Sequence, residues 1–180
     1  MIDEVARPEA VSKAEEREGG FTPILGIELD RAYRVAGRIL GNSAEAEDAI
    51  QEALEHAWVS WHTLRTPEAA QGWFWRILVN GCRSRLRKRR SQPIRDISEA
   101  IDFGVADPLV AMLARDVVGR AMHVLNEDQR VAVALRYWGE LTVPEIADRM
   151  RVPEGTVKSR LHSALAALRR ELERHGENGL

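Results

Sequence analysis

The chain has 180 residues, of which 44% are hydrophobic and 30% are charged, which excludes wholesale disorder and a large multidomain assembly. Its longest uninterrupted apolar run, Leu109–Ala114, is far shorter than the roughly 20 residues of a membrane-spanning helix. The formal net charge is −2, and the single cysteine, Cys82, excludes an intramolecular disulfide framework and a four-cysteine zinc site. Because the N-terminus has no signal-peptide pattern, we expect a cytoplasmic protein without direct membrane insertion.

Charge is segregated along the chain. Residues 1–20 carry six acidic and three basic side chains, whereas residues 83–90 carry six basic side chains and no acidic one. A basic block of this density indicates a polyanionic partner such as a nucleic acid. The alternative is a basic helix end that is simply solvated.

Two amphipathic helices are predicted after an N-terminal tail. Residues 1–22 are polar, rich in glutamate and aperiodic, which is typical of a flexible tail. Apolar side chains recur at helical spacing from about 27 to 40 and again from 46 to 61. Ser43 is expected to cap the second helix. Trp58 lies on the apolar stripe of that helix, and we expect it to pack in the core.

A third helix is predicted from Thr66 to about Arg90, because a capping residue followed by proline is a typical helix start. At 100° per residue, four polar side chains form one narrow stripe along it: Arg76, Asn80, Arg83 and Arg87. The residues on the opposite side are mainly apolar: Ala70, Phe74, Ile77, Leu78, Gly81 and Cys82. The helix should therefore pack one face and present arginine and asparagine on the other.

Helical periodicity is lost at residues 91–106, which predicts a linker longer than an ordinary loop. Four further helices are expected, beginning near Asp107, Asn126, Thr142 and Gly155 and ending, for the last three, near Gly139, Met150 and Arg174. No segment shows sustained two-residue alternation. The predicted fold class is therefore all-α.

The last two helices have the spacing of a helix-turn-helix. Their apolar residues are expected to face one another: Val143, Ile146, Ala147 and Met150 on the first, and Val157, Leu161, Ala164, Leu165 and Leu168 on the second. The other face of the final helix carries small or hydrogen-bonding side chains that suit a major groove: Lys158, Ser159, His162, Ser163 and Ala166. From the pattern alone, an amphipathic hairpin in a helical bundle explains these residues equally well.

Two segments resemble the extracytoplasmic-function sigma factors of bacterial RNA polymerase, a group of the sigma-70 family. Residues 141–162 resemble region 4 of that family, and residues 32–90 resemble its region 2. The second likeness rests on the acidic segment from Asp48 to Glu52, the segment from Trp73 to Asn80 and the basic end that follows. Together they imply two small helical domains, a region 2 bundle and a region 4 helix-turn-helix, joined by a flexible linker.

The resemblance also implies domain limits. They are a flexible tail (1–22), region 2 (23–90), the linker (91–106), region 4 (107–175) and a C-terminal tail (176–180).

Roles for region 2 residues follow from the resemblance. Asp48, Gln51 and Glu52 correspond to the surface that binds the coiled coil of the polymerase β′ subunit. Asn80 corresponds to a residue that contacts a base flipped from the melted minus-ten strand, and an amide can read a base edge in this way. The other implied minus-ten contacts are Leu64, Trp73, Arg76, Arg83 and Arg87. Many relatives have an aromatic residue near Leu64. The tryptophans at 61, 73 and 75 could stack on unpaired bases or pack in the core.

In region 4 the resemblance implies a surface that reads the minus-thirty-five duplex. Its members are Arg136, Lys158, Ser159, His162 and Ser163, and relatives often have arginine at the last position. The implied partners are core RNA polymerase, through its β and β′ subunits, promoter DNA and an anti-sigma factor. No cofactor, metal or catalytic residue is implied. The chain would be a transcription initiation factor rather than an enzyme.

Two other protein classes remain as alternatives. A stand-alone helix-turn-helix regulator explains residues 142–174, but neither the acidic second helix nor the arginine and asparagine stripe. An enzyme would need a site, yet the five histidines lack metal-ligand spacing, and no phosphate-binding loop or nucleophile elbow is present. Cys82 lies on the packed side of its helix and is expected in the core rather than as a nucleophile.

Overall fold

The structure is a computed structural model that describes residues 29–64, 66–90, 118–119 and 121–177. All regular elements within these residues are helical: α1 (Leu29–Leu40), α2 (Ser43–Ser60), α3 (Ala70–Arg90), α4 (Glu127–Tyr137), α5 (Val143–Met150) and α6 (Glu154–Glu177). Single 3₁₀ turns at Trp61–Thr63 and Pro67–Ala69 connect α2 to α3. The predicted all-α class is confirmed. The predicted N-terminal tail, the linker and the helix start near Asp107 lie outside the described residues. Among the described helices, none has the length and hydrophobicity that spanning a membrane requires.

Side-chain caps fix where the helices begin. Asn42, rather than the predicted Ser43, caps α2, since its Oδ1 accepts a hydrogen bond from the backbone N–H of Glu45 at 2.8 Å. The predicted cap was therefore wrong by one residue. Asn126 caps α4 through the N–H of Gln129 at 2.9 Å, and the Gln129 side chain accepts in return from the N–H of Asn126 at 3.1 Å. A cap of this kind contributes about 1 kcal/mol.

Helices α1 to α3 pack into a bundle. The inner face of α2 is mostly alanine (Ala46, Ala49, Ala53 and Ala57), which lets the flanking helices approach closely. Trp75 of α3 is buried in the core of this bundle, so it does not belong to a base-stacking surface. The prediction for Trp58 was wrong, because 42% of it is exposed. It lies about 100° around the helix axis from buried Ala57, outside the arc that α2 packs.

Helices α4 to α6 form the helix-turn-helix unit. The predicted contact between the last two helices is confirmed for Ile146, Ala147, Met150 and Val157, which are buried in one cluster. Ala164 is also buried, but it packs in a second cluster with Met122, Leu125 and Val133. Leu165 was assigned to the same contact but is 39% exposed, because it lies one step of about 100° beyond Ala164. Arg151 adopts a left-handed conformation between α5 and α6, with φ 54° and ψ 51°. That residue makes the turn.

The two helical units share one hydrophobic core. Val131 and Leu135 of α4 and Ile146 of α5 belong to the same buried cluster as Val35 and Ile39 of α1. At its edge, the guanidinium of Arg38 lies 4.7 Å from the centre of the Trp138 ring. The guanidinium of Arg149 packs closely against α3 at Gly72. A Cβ atom at position 72 would lie only 2.8 Å from that guanidinium, so the missing side chain of glycine makes the contact possible. The packing of one unit against the other is a feature that the sequence does not predict.

Candidate nucleic-acid and partner interfaces

The polar stripe of α3 lies between the edge of α2 and the second helical unit, apart from the face that packs into the bundle. Asn80 and Arg87 are exposed, while the side chains of Arg76 and Arg83 are 31% and 22% exposed because the second helical unit covers part of them. Four residues predicted for the opposite face are buried: Ala70, Phe74, Leu78 and Cys82. The prediction was wrong for Ile77 and Gly81, which are only half-buried and lie on the same side of α3 as the groove that Asn80 lines. Burial raises the pKa of the Cys82 thiol to about 12, so it is not a nucleophile at neutral pH.

Asn80 opens into a groove of about 580 Å³ between α2 and α3. Trp73 and Arg76 line the same groove, as does Arg151 from the turn of the helix-turn-helix. The Trp73 ring is braced edge-on by Trp61, with the ring centroids 6.2 Å apart. An amide, a guanidinium and an indole around one concave surface are the groups that hold an unpaired base.

Other residues predicted for the minus-ten site lie outside this groove. Leu64 is half-buried and packs against the hydrophobic cluster, and neither Arg83 nor Arg87 lines the groove. His56 of α2 does line it, and the sequence analysis did not assign that residue to the site. The sequence did contain a signal for His56. It is seven residues from Ala49, so both residues lie on the same face of α2, and both line the groove.

The exposed face of α2 is acidic. The three predicted polymerase contacts, Asp48, Gln51 and Glu52, are all exposed. Gln51 donates a hydrogen bond to Glu55 at 3.0 Å, and Glu52 forms an ion pair with Arg85 at 2.6 Å. Because the Glu52 side chain is 68% exposed, the pair contributes little to stability. Its main effect is to hold one guanidinium of α3 beside the acidic surface.

The basic block at the end of α3 is only partly free to meet a polyanion. Arg83 and Arg85 form ion pairs with Asp128 and Glu52. Arg89 donates to the backbone carbonyl of Leu40 at 2.7 Å and, through Nε, to Glu45 at 3.0 Å. These two bonds tie the end of α3 to the corner between α1 and α2. Part of the basic block that the sequence analysis assigned to a polyanionic partner is therefore occupied by contacts within the chain.

The start of α5 is held by Thr142 and Glu145. The Glu145 carboxylate accepts hydrogen bonds from the Thr142 hydroxyl at 2.6 Å and from its backbone N–H at 2.7 Å. These bonds lower the pKa of Glu145, and the positive charges of Arg149 and Arg31 act in the same direction. The carboxylate stays ionised near the N-terminus of α5, where the helix dipole favours a negative charge.

The outer face of α6 is open and carries short polar side chains. Lys158, Ser159, His162 and Ser163 are all exposed, and the Ser159 hydroxyl donates to the carbonyl of Thr156 at 3.0 Å. Short side chains allow a helix to approach base edges in a major groove closely. Arg136, the fifth residue of the predicted set, is on α4, where it donates to the Leu141 carbonyl at 2.9 Å and supports the loop before α5.

Asp128 joins the two helical units. One of its carboxylate oxygens accepts a hydrogen bond from Arg83 of α3 at 2.5 Å, and the other accepts from Arg160 of α6 at 2.5 Å. Neither Asp128 nor Arg160 was assigned a role from the sequence. No local pattern could have identified them, because the three residues come from distant parts of the chain.

Comparison with known proteins gives matches to both halves of the chain. A profile of sigma-70 region 2 matches residues 27–92, and a profile of sigma-70 region 4 matches residues 115–168. The extracytoplasmic-function (ECF) RNA polymerase sigma factor SigW of Bacillus subtilis is 30% identical over 168 residues, which cover 86% of this chain and 90% of SigW.

Two solved structures share the fold. The sigma factor RpoE of Bartonella quintana, in complex with the anti-sigma factor NepR, superimposes with a TM-score of 0.62 at 23% identity, covering 90% of this chain and 97% of RpoE. CnrH, in complex with the cytosolic domain of CnrY, superimposes with a TM-score of 0.67 at 19% identity, covering 89% of this chain and 95% of CnrH.

Proposed function

The chain belongs to the extracytoplasmic-function group of the sigma-70 family of RNA polymerase sigma factors, and from that membership we propose how its two regions share promoter recognition. Regions 2 and 4 are both present and in order. The protein is therefore a factor that directs RNA polymerase to promoters, and not a stand-alone helix-turn-helix regulator. We propose region 2 at 23–90, a linker at 91–106 and region 4 at 107–175, with no enzymatic role for either region.

Region 2 has two separate tasks in this proposal. The exposed acidic face of α2 binds the β′ subunit of core polymerase through Asp48, Gln51 and Glu52. The groove beside α3 receives a melted minus-ten base, with Asn80 reading its edge and Trp73 offering a stacking surface. Arg76, Arg83 and Arg87 hold the strand by its phosphates. Leu64 would contact the strand only from the rim, since it packs against the core.

Region 4 reads the minus-thirty-five duplex with the outer face of α6. Lys158, Ser159, His162 and Ser163 enter the major groove, and Arg136 approaches from α4. Region 4 would bind polymerase through the β subunit. The two structural neighbours were solved with the anti-sigma factor NepR and with the cytosolic domain of CnrY. On that basis we propose an anti-sigma factor as a further partner in the cytoplasm.

The observation that best supports this division is the groove at Asn80. A stand-alone reader of duplex DNA needs no concave site lined by an amide, a guanidinium and an indole on a second helical unit. These three groups suit an unpaired base, and unpaired bases become available only after polymerase melts the promoter.

The isolated chain should therefore bind promoter duplex weakly. Phosphate contacts alone give dissociation constants of about 10⁻⁴–10⁻⁶ M, and each contact adds about −0.9 to the slope of log affinity against log salt. Fluorescence anisotropy with a labelled promoter duplex and a scrambled duplex, at several salt concentrations, measures both quantities. With core polymerase present, the promoter should be bound in preference to the scrambled duplex. Tight, sequence-selective binding by the chain alone would contradict the proposed division.

A further inference from the structure

His56 of α2 lines the groove of region 2, and the function proposed above gives it no role. Three other α2 residues line the groove, and they offer little to a ligand. Ala49 and Ala53 are buried and have no polar side-chain atom. Glu52 can only accept hydrogen bonds when ionised, and it forms an ion pair with Arg85 at 2.6 Å. Along the α2 wall, His56 is therefore the side chain that can donate a hydrogen bond into the groove.

The imidazole of His56 is available for such a bond. The side chain is exposed, and none of the other residues that the structure describes forms a hydrogen bond or an ion pair with it. A neutral imidazole has one donor and one acceptor nitrogen, and the amide of Asn80 also has donor and acceptor atoms. Because α2 and α3 pack together with the groove between them, His56 and Asn80 approach its interior from opposite walls.

The charges around the groove decide which part of a DNA strand can reach His56. On α2, Glu52 precedes it by one helical turn and Glu55 is its neighbour, and both are exposed. Arg76 of α3 and Arg151 lie on the other side of the groove. Carboxylates repel phosphates and guanidinium groups attract them, so the backbone of a bound strand should follow the arginine side. The uncharged base then points toward α2.

We propose that His56 is a specificity-determining residue that forms a hydrogen bond with the edge of the same unpaired base that Asn80 reads. This inference rests on the base-reading function proposed for the groove. The ligand is one base of single-stranded DNA, held between a histidine and an amide from neighbouring helices. Two such groups discriminate among bases better than one, because a wrong base leaves more donors and acceptors unpaired.

Forked promoter DNAs bound by the full chain with core polymerase test this role. Each minus-ten position of the unpaired strand is varied among the four bases, and fluorescence anisotropy gives the dissociation constants. His56→Ala should reduce the preference among bases at one position only, which is the position that Asn80→Ala also affects. The reduction should be roughly 2- to 10-fold, as expected for one hydrogen bond. His56→Gln keeps a donor and an acceptor and should preserve most of the preference.

The double variant His56→Ala/Asn80→Ala tests whether the two side chains hold one base. A base that is no longer fixed on one side is poorly presented to the other side. The combined loss of preference should therefore be smaller than the product of the two single losses. Single losses at two different positions, multiplying in the double variant, would show separate contacts and would overturn the proposal.

Two controls separate base reading from folding and from docking. Glu55→Gln changes the exposed neighbour of His56, keeps an acceptor for Gln51 and should leave the base preference unchanged. Capture of His56→Ala by core polymerase, without DNA, should equal that of the wild-type chain, and far-UV circular dichroism should show the same helix content. A loss of capture would place His56 in the docking surface instead and would overturn the proposal.

The remaining outcomes distinguish this inference from the proposed function. If Asn80→Ala flattened the preference at one position and His56→Ala did not, the role of His56 would fall while the groove would remain the base-reading site. If His56→Ala weakened all the DNAs alike, His56 would contact the backbone and not a base, which also overturns the proposal. If neither variant changed the preference at any position, the inference and the base-reading groove would fall together.

Discussion

Replacing Asp48 and Glu52 together with arginine should abolish capture of this sigma factor by core RNA polymerase. Both side chains are exposed on α2, away from the buried alanines that pack the bundle. Two positive charges in place of acidic groups at the proposed interface should weaken the binding free energy by several kcal/mol, so the affinity should fall by more than about 100-fold. The helix content should stay the same, although the loss of the Glu52–Arg85 pair removes a small surface contribution.

Fluorescence anisotropy of labelled protein with core polymerase measures the affinity, and far-UV circular dichroism measures the fold. Glu173→Arg is the matched control, because it reverses an exposed charge on α6 and should leave the affinity unchanged. Retained capture by a folded double variant would place the docking surface elsewhere. Retained capture together with a loss of helix would show that the faces of α2 are wrongly assigned.

Asn80→Ala should impair promoter melting without unfolding the protein. Asn80 is exposed and lies apart from the buried face of α3, so the free energy of unfolding should change by no more than about 0.5 kcal/mol. Loss of a good base contact should cost about 1–3 kcal/mol at one minus-ten position, which is roughly 5- to 150-fold in open-complex formation. Promoters that differ at that position should respond unequally.

Arg87→Ala is the comparison that separates base reading from phosphate contact. Arg87 is exposed on the same stripe and takes no part in the ion pair between Arg83 and Asp128, so its loss should weaken all promoters alike and reduce the salt slope by about one. Arg83→Ala should do the same, but it also breaks the bond to Asp128. Permanganate footprinting on a promoter panel distinguishes the outcomes. If Asn80→Ala melted every promoter like the wild type, the groove would not be the base-reading site.

Features set by residues three or four apart were predictable from the sequence. The contacts between Asn126 and Gln129, the pairing of Thr142 with Glu145 and the polar face of α3 all follow from helix periodicity. The same reasoning fails at the edge of a stripe. Trp58 is one residue beyond buried Ala57, and a step of about 100° is enough to turn a side chain from the core to solvent.

Contacts between distant residues were not predictable. Arg83 and Asp128 are 45 residues apart, and Arg89 and Leu40 are 49 apart. In the sequence, the arginines of the basic block are equivalent, and only the packing of α3 against α2 and α4 decides which of them find carboxylates. The docking role proposed for the acidic face of α2 rests on family membership, because exposed acidic residues on a helix do not by themselves indicate a partner.

Run-off transcription from genomic fragments tests the central claim most directly. Core polymerase alone should give no discrete transcripts, and addition of this protein should give transcripts of defined length from a small set of fragments. The double variant with arginine at positions 48 and 52 should give none, and Asn80→Ala should reduce them unequally. Fragment-independent transcription, or no discrete transcript with a core enzyme that is active with another sigma factor, would contradict the assignment of this chain as a promoter-directing factor.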